Sequence, residues 1–271
     1  MIEEGSRQNM RSLFEQPKVI IGMVHLKPMP GFPGSTGNMK TIIGHALDDA
    51  LALEKGGVDG LIVENIFNRP RQKTVGPETV APMTLVLKEI VEAVSIPIGI
   101  KVLFNDVKAE LAIVNCTGAH FVRVSVYTDA MVTMAGVIEG CAYEAVTYRK
   151  LIGAEHVKIL ADVRIKHAAP LAYRPIEHSA FDAANSGMAD GLVVTGERTG
   201  LATSLDDVIA VKSTVPDKLL LVGSGTTFDN VTEILEHADG AIVGTHFKVD
   251  GIIENPVDGN RVRRFMERVR G

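Results

Sequence analysis

The chain has no tryptophan, two cysteines in 271 residues and only 5% aromatic side chains. The thiols, Cys116 and Cys141, have no Cys-x-x-Cys spacing, which argues against a disulfide framework or a zinc knuckle and fits a reducing compartment. Both fall in helical-looking segments and read as buried thiols. No run of about eighteen apolar residues is present, so no membrane-spanning helix is expected. The opening MIEEGSRQNMRSLF puts acidic residues where a signal peptide carries basic ones and has no apolar stretch, so the expected location is the cytoplasm. Concentrated positive charge is also scarce. The net charge is −5, and the one dense basic stretch, RVRRFMERVR at 261–270, alternates with apolar residues as a packed helix does. No nucleic-acid partner is expected. There is no His-Glu-x-x-His motif and no recognisable metal set, so neither metal nor cofactor is expected.

The sequence does contain many short β-rich apolar runs alternating with helical patterns. Eight runs, at 19–25, 60–65, 97–103, 120–126, 157–163, 191–196, 219–223 and 240–245, are near-continuously hydrophobic, as strands buried on both faces are. Between the first two, Ile43, Leu47 and Leu51 recur at helical spacing before the stop at Gly56–Gly57. The fragments VDGLIV (58–63), ADGLVV (189–194) and ADGAIV (238–243) form a weak repeat that opens strands with Asp-Gly. Their aspartates are expected at the barrel floor, satisfying backbone donors at helix-to-strand turns. Eight βα units without a linker predict an α/β fold of the (β/α)8 TIM-barrel type, one domain over 1–271 with residues 1–16 as a short helix closing the floor. An open, doubly wound sheet fits eight undivided strands less well.

In this fold function gathers at the carboxyl ends of the strands. After the seventh run, GSGTTFDNVTEIL (223–235) lets the backbone bend with its amides pointing into a concavity, and Gly244 and Thr245 end the eighth. Gly223, Ser224, Gly225, Gly244 and Thr245 are therefore candidates for binding a phosphate, the alternative being glycines that only make tight turns. A dinucleotide fingerprint is excluded because no third glycine follows at the required spacing. At the other strand ends stand His25, Glu64, Lys101, Arg123 and Asp162, with Arg164 and Lys166 sharing the parity of Asp162. Polar groups inside apolar strands are costly unless paired. One reading is a salt-bridge network, for instance Glu64 with Lys101 or Asp162 with Arg123. The other is acid/base catalysis on a phosphorylated small molecule, with Glu64, Asp162 or Lys166 moving protons. A Schiff-base role for Lys101 is the weaker option, and His45 and His178 read as surface residues. The loops 25–38 and 65–78 are long and rich in Gly, Pro and basic residues, suited either to closing over the mouth or to a subunit contact, and a homo-oligomer is expected.

The segments GMVHLKPMPGFPG (22–34), GLIVEN (60–65), VGPETVAPMT (75–84), FND (104–106), GVIEGCA (136–142), ADVRIKHA (161–168), VTGERTG (194–200), GSGTTFDNV (223–231), GAIVGTHFK (240–248) and DGIIENPVDGNRV (250–262) together resemble the BtpA family over nearly the whole chain. The resemblance implies a ribulose-phosphate-binding-like barrel whose bacterial relatives are associated with sugar-phosphate and nucleoside metabolism; the glycine loops and the ionisable strand ends together suit a sugar phosphate or nucleotide-like ligand. It also implies an alternative, a non-catalytic assembly or regulatory role of the photosystem I biogenesis type. The glycine loops match the family pattern. Lys101, Phe104, Met134, Ala135 and Arg164 depart from it, standing where the family tends to have Asn, Arg, Asp, Gln and His.

Overall fold

The computed structural model describes residues 10–165, 168–196 and 203–271. Its elements run β1 (Val19–His25), α1 (Met39–Lys55), β2 (Gly60–Glu64), α2 (Pro77–Ala93), β3 (Ile98–Lys101), α3 (Val107–Thr117), β4 (Phe121–Val124), β5 (Met131–Thr133) and β6 (Gly136–Ile138). They continue with α4 (Ala142–Leu151), β7 (Lys158–Arg164), β8 (Ala169–Pro170), α5 (Ile176–Ala184), β9 (Gly191–Thr195), α6 (Leu205–Thr214), β10 (Leu219–Gly223), α7 (Val231–His237), β11 (Gly240–Val243) and α8 (Gly259–Arg270). The parallel strands close in the order β1-β11-β10-β9-β7-β4-β3-β2, a (β/α)8 barrel as the alternation predicts. A three-stranded antiparallel sheet, β6-β5-β8, has no counterpart among the expected strands, because runs of two or three residues carry no readable period.

Alternation along each strand sends side chains to two different cores. Outward-facing residues such as Ile20, Val24, Leu61, Val63, Leu192 and Val222 pack against the helices. Inward-facing residues, including Val19, Ile21, Met23, Ile62, Phe121, Leu160, Val193, Leu221 and Ile242, fill the barrel. On α1 the residues facing the core are Ile42, Ala46, Ala50 and Leu53, so the buried stripe lies one position from the expected Ile43, Leu47 and Leu51, which are only partly buried.

Met10 and Phe14 plug the floor of the barrel. The described part of the expected floor helix is a 3-10 turn at Met10–Leu13, and residues 1–9 lie outside the described residues. The Asp-Gly repeat now has a physical account. Asp59, Asp190 and Asp239 each accept a hydrogen bond from the amide opening a neighbouring strand, Ile20 at 2.7 Å, Ile159 at 2.8 Å and Leu220 at 2.8 Å. Each also meets a cation, Arg270, Arg149 or Lys212. The glycine that follows leaves room. A Cβ on Gly60 would lie 3.0 Å from the Phe14 ring, one on Gly191 3.0 Å from Met10 Sδ, and one on Gly240 2.0 Å from the Val19 carbonyl oxygen.

Candidate functional site

Register brings the predicted ionisable residues to one level. His25 pairs with Glu64 and Glu64 with Lys101, and the Ile100–Val122 pairing carries that level to β4 and Arg123. Asp162 faces the same interior from β7. Arg123 grips it with two nitrogens, Nε at 2.9 Å and Nη2 at 3.2 Å, and Lys101 Nζ lies 3.5 Å from its Oδ2. His25 Nε2 is 3.7 Å from Glu64 Oε2. Of the pairs expected in a salt-bridge network, Arg123–Asp162 is present, and the direct lysine partner of Asp162 is Lys101. Burial pushes the Lys101 ammonium below its ordinary pKa, more than the Asp162 carboxylate restores. Burial also opposes the Arg123 charge, but here the Asp162 charge and hydrogen bonds outweigh it and raise its pKa.

The opposite half of the mouth is lined by small residues. A Cβ on Gly223 would lie 3.0 Å from Thr195 Cγ2 and 3.2 Å from an Arg123 nitrogen, and one on Gly244 would lie 3.0 Å from His25 Cε1. The space so left is a cavity of about 270 Å³ whose lining joins His25, Glu64 and Arg123 to Ser224, Gly225, Gly244 and Thr245. Ser224 and Gly225 both have positive φ, +71° and +67°, which turns the chain sharply after β10. Asn230 fixes that turn, accepting from the Thr227 amide at 2.7 Å and donating to the Gly225 carbonyl at 2.9 Å.

Sequence reasoning missed four polar lining residues, Thr226, Thr227, His246 and Arg261. Thr226 is buried, and among the described residues its hydroxyl has no hydrogen-bond partner. His246 Nε2 accepts from the Phe228 amide at 3.2 Å, and burial, then Arg261, lowers its pKa, so the ring is held neutral. Arg261 Nε donates to the His246 carbonyl at 2.8 Å and so presents its guanidinium from α8. The signal was there in GTHFK and DGNRV, but Arg261 was counted only with the packing face of the terminal helix.

A second, smaller compartment of about 40 Å³ adjoins the first and is lined by Glu64, Arg71, Lys101, Arg123, Ser125 and Asp162 among apolar Ile66, Leu103, Phe104 and Ile165. Ile165 is there because β7 has a bulge between Asp162 and Arg164, which breaks the expected parity. Arg164 consequently turns away and donates to the Arg174 carbonyl at 2.6 Å. Lys166 lies outside the described residues.

Behind β3, Glu110 accepts from the Val102 amide at 2.8 Å, and burial raises its carboxyl pKa well above the ordinary value. Asn105 ties the Val126 backbone to the Cys141 thiol, which burial, then Glu110, raises to about 12, so Cys141 is a neutral thiol. Cys116 is exposed, contrary to expectation, because the outer face of α3 carries it. The two long loops are tied down. Asn68 accepts from the Met29 amide at 2.9 Å, and the carbonyls of Gln72 and Lys73 accept from Phe104 and Asn105 at 3.0 and 3.1 Å. Among the described residues no three His, Cys, Asp or Glu side chains come together as a metal set, and no helix is long and apolar enough to cross a membrane.

A closed eight-stranded parallel barrel with a polar mouth is the architecture of the TIM-barrel proteins. The chain has 14% identity and a TM-score of 0.57 with the solved N-(5'-phosphoribosyl)anthranilate isomerase of Pyrococcus furiosus, covering 93% of this chain and 98% of that one. Within that architecture the chain belongs to the BtpA family, whose model matches residues 16–271. It is 39% identical to the photosystem I biogenesis protein BtpA of Synechocystis sp., over 94% of this chain and 88% of the relative. It is 35% identical to the putative sgc region protein SgcQ of Escherichia coli, over 96% and 97%.

Proposed function

We propose that the chain is an enzyme that binds a phosphorylated small molecule and acts on it by acid/base chemistry. The observation that carries the reading is one cavity lined both by the two glycine turns and by His25 and Glu64. Ser224, Gly225, Gly244 and Thr245 form the anion-binding wall, with Gly223 leaving room beneath it, and the buried Thr226 hydroxyl and Arg261 add donors. Glu64 takes a proton from the substrate as general base and His25, 3.7 Å away, returns one as general acid. Lys101 and Arg123, held in place by Asp162, stabilise negative charge that develops on the substrate. The substrate class is a sugar phosphate or a nucleotide-like metabolite.

The test combines thermal shifts against a panel of phosphorylated metabolites with the variants Ser224→Asp and Glu64→Gln. Aspartate tolerates positive φ, so Ser224→Asp keeps the turn while placing a carboxylate where the phosphate sits. Stabilisation by phosphorylated compounds is expected in the native chain and in Glu64→Gln, with its loss in Ser224→Asp; a native chain indifferent to the whole panel refutes the reading. A second reading, an assembly factor, is favoured by one observation. Val132, Met134, Val137 and Leu171 are all exposed on or beside the β6-β5-β8 sheet, and apolar surface of this kind marks contact sites. The Synechocystis relative, named a photosystem I biogenesis protein, agrees with it.

A further inference from the structure

We infer that the ligand carries a second anionic group, a carboxylate, which sits among Arg71, Lys101 and Arg123 in the smaller compartment while the phosphate occupies the glycine turns. The inference rests on the phosphate reading and extends it to the other end of the ligand.

The first support is an excess of positive charge. Among the described residues, three cations line the smaller compartment against two carboxylates, Glu64 and Asp162. Asp162 already serves both Arg123 and Lys101, and Glu64 is shared between His25 and the charge of Arg71, so two carboxylates answer three cations. Among the described residues Arg71 donates one hydrogen bond, from Nη2 to the Ile66 carbonyl at 3.3 Å, and its buried Nε has no acceptor. A guanidinium with an unused buried donor is a ready partner for a planar carboxylate, which accepts two parallel hydrogen bonds.

Size and position agree. The compartment of about 40 Å³ has room for about three water-sized positions, which suits three carboxylate heavy atoms better than a phosphate. Ile66, Leu103, Phe104 and Ile165 form its apolar walls and exclude water, which strengthens ionic contacts inside. Glu64, Ile66 and Arg123 line both cavities, so a single ligand can reach from one into the other past Glu64. Arg71 is also held in place without a ligand, because the neighbouring Gln72 and Lys73 carbonyls are fixed by the Phe104 and Asn105 amides.

Isothermal titration with matched pairs of probes tests this. The pairs are 3-phosphoglycerate with glycerol 3-phosphate and 6-phosphogluconate with sorbitol 6-phosphate, each differing in the carboxylate, with inorganic phosphate as the reference. In at least one pair the carboxylate is expected to tighten binding tenfold or more. Arg71→Met should erase that advantage, Arg71→Lys should keep part of it, and the affinity for inorganic phosphate should be unchanged in both. Equal affinity within both pairs, or an advantage that survives in Arg71→Met, overturns the second subsite and leaves the phosphate reading standing. Failure of inorganic phosphate and of every phosphorylated probe to bind the native chain overturns both.

Discussion

Asp162→Asn isolates the electrostatics of the mouth. Asp162 is buried and neutralises two buried cations, Arg123 through a two-nitrogen contact and Lys101 at 3.5 Å. Asparagine fills the same volume without the charge, so Arg123 and Lys101 are left facing each other. Breaking a buried ion pair in this way costs about 3–5 kcal/mol. Lys101 has an escape that Arg123 lacks, since burial already lowers its pKa and Asp162 is the main group holding it up. Without Asp162 the lysine sheds its proton in the folded state at a lower pH, while in the unfolded chain it keeps that proton up to about 10.4. Between those two pKa values the unfolded state binds more protons, so the stability of the variant climbs with pH, by about 1.4 kcal/mol per pH unit at most. In the native chain Asp162 holds that proton to higher pH, so the climb begins later. Urea unfolding followed by far-UV circular dichroism between pH 6 and 9 should therefore show a deficit that is largest at pH 6 and shrinks as pH rises. Lys101→Met in the Asp162→Asn background should recover about 1–2 kcal/mol as the coupling between neighbours. A deficit below about 1 kcal/mol, or one that does not change with pH, refutes the reasoning.

Gly99→Ala would set a Cβ 2.2 Å from the Phe121 ring inside the barrel, a clash worth about 1–3 kcal/mol or more by denaturant unfolding, and adding Phe121→Leu should recover most of it. Glu110→Gln shifts pH dependence in the same sense as Asp162→Asn, but by removing a slope from the native chain instead of adding one to the variant. The native carboxyl has its folded pKa raised above 4.5, so its contribution is full below that value and declines as pH rises, by about 1.4 kcal/mol per pH unit until the folded pKa is passed. The variant cannot ionise and should gain on the native chain across that range, and parallel curves would contradict a buried protonated Glu110. Asp190→Ala removes the acceptor of the Ile159 amide and the partner of Arg149, and should lower stability by about 1–3 kcal/mol with no change in ligand affinity, because it lies at the floor.

Much of this was legible because a parallel barrel writes itself plainly. Its strands are buried on both faces and read as apolar runs, so the barrel, its order and the inward set His25, Glu64, Lys101, Arg123 and Asp162 followed from alternation. Alternation fails where the ladder is irregular. The bulge after Asp162 put Ile165 in the cavity in place of Arg164, and no single sequence signals such an insertion. The β6-β5-β8 sheet was too short to show a period. Arg71 and Arg261 were hidden for a different reason. They reach the mouth from a loop and from the last helix, and sequence position says little about where a long side chain ends. The Asp-Gly repeat was the reverse case, a faint pattern whose floor position and amide partners were both anticipated.

We propose that the turns after β10 and β11 hold a phosphate beside His25 and Glu64. A crystal structure of the native chain soaked in inorganic phosphate tests it most directly. Tetrahedral density is expected in the cavity between Ser224-Gly225-Thr226 and Gly244-Thr245, within hydrogen-bond reach of their amides and absent from Ser224→Asp crystals treated alike. An empty cavity in a native crystal whose other surfaces have taken up phosphate would contradict it.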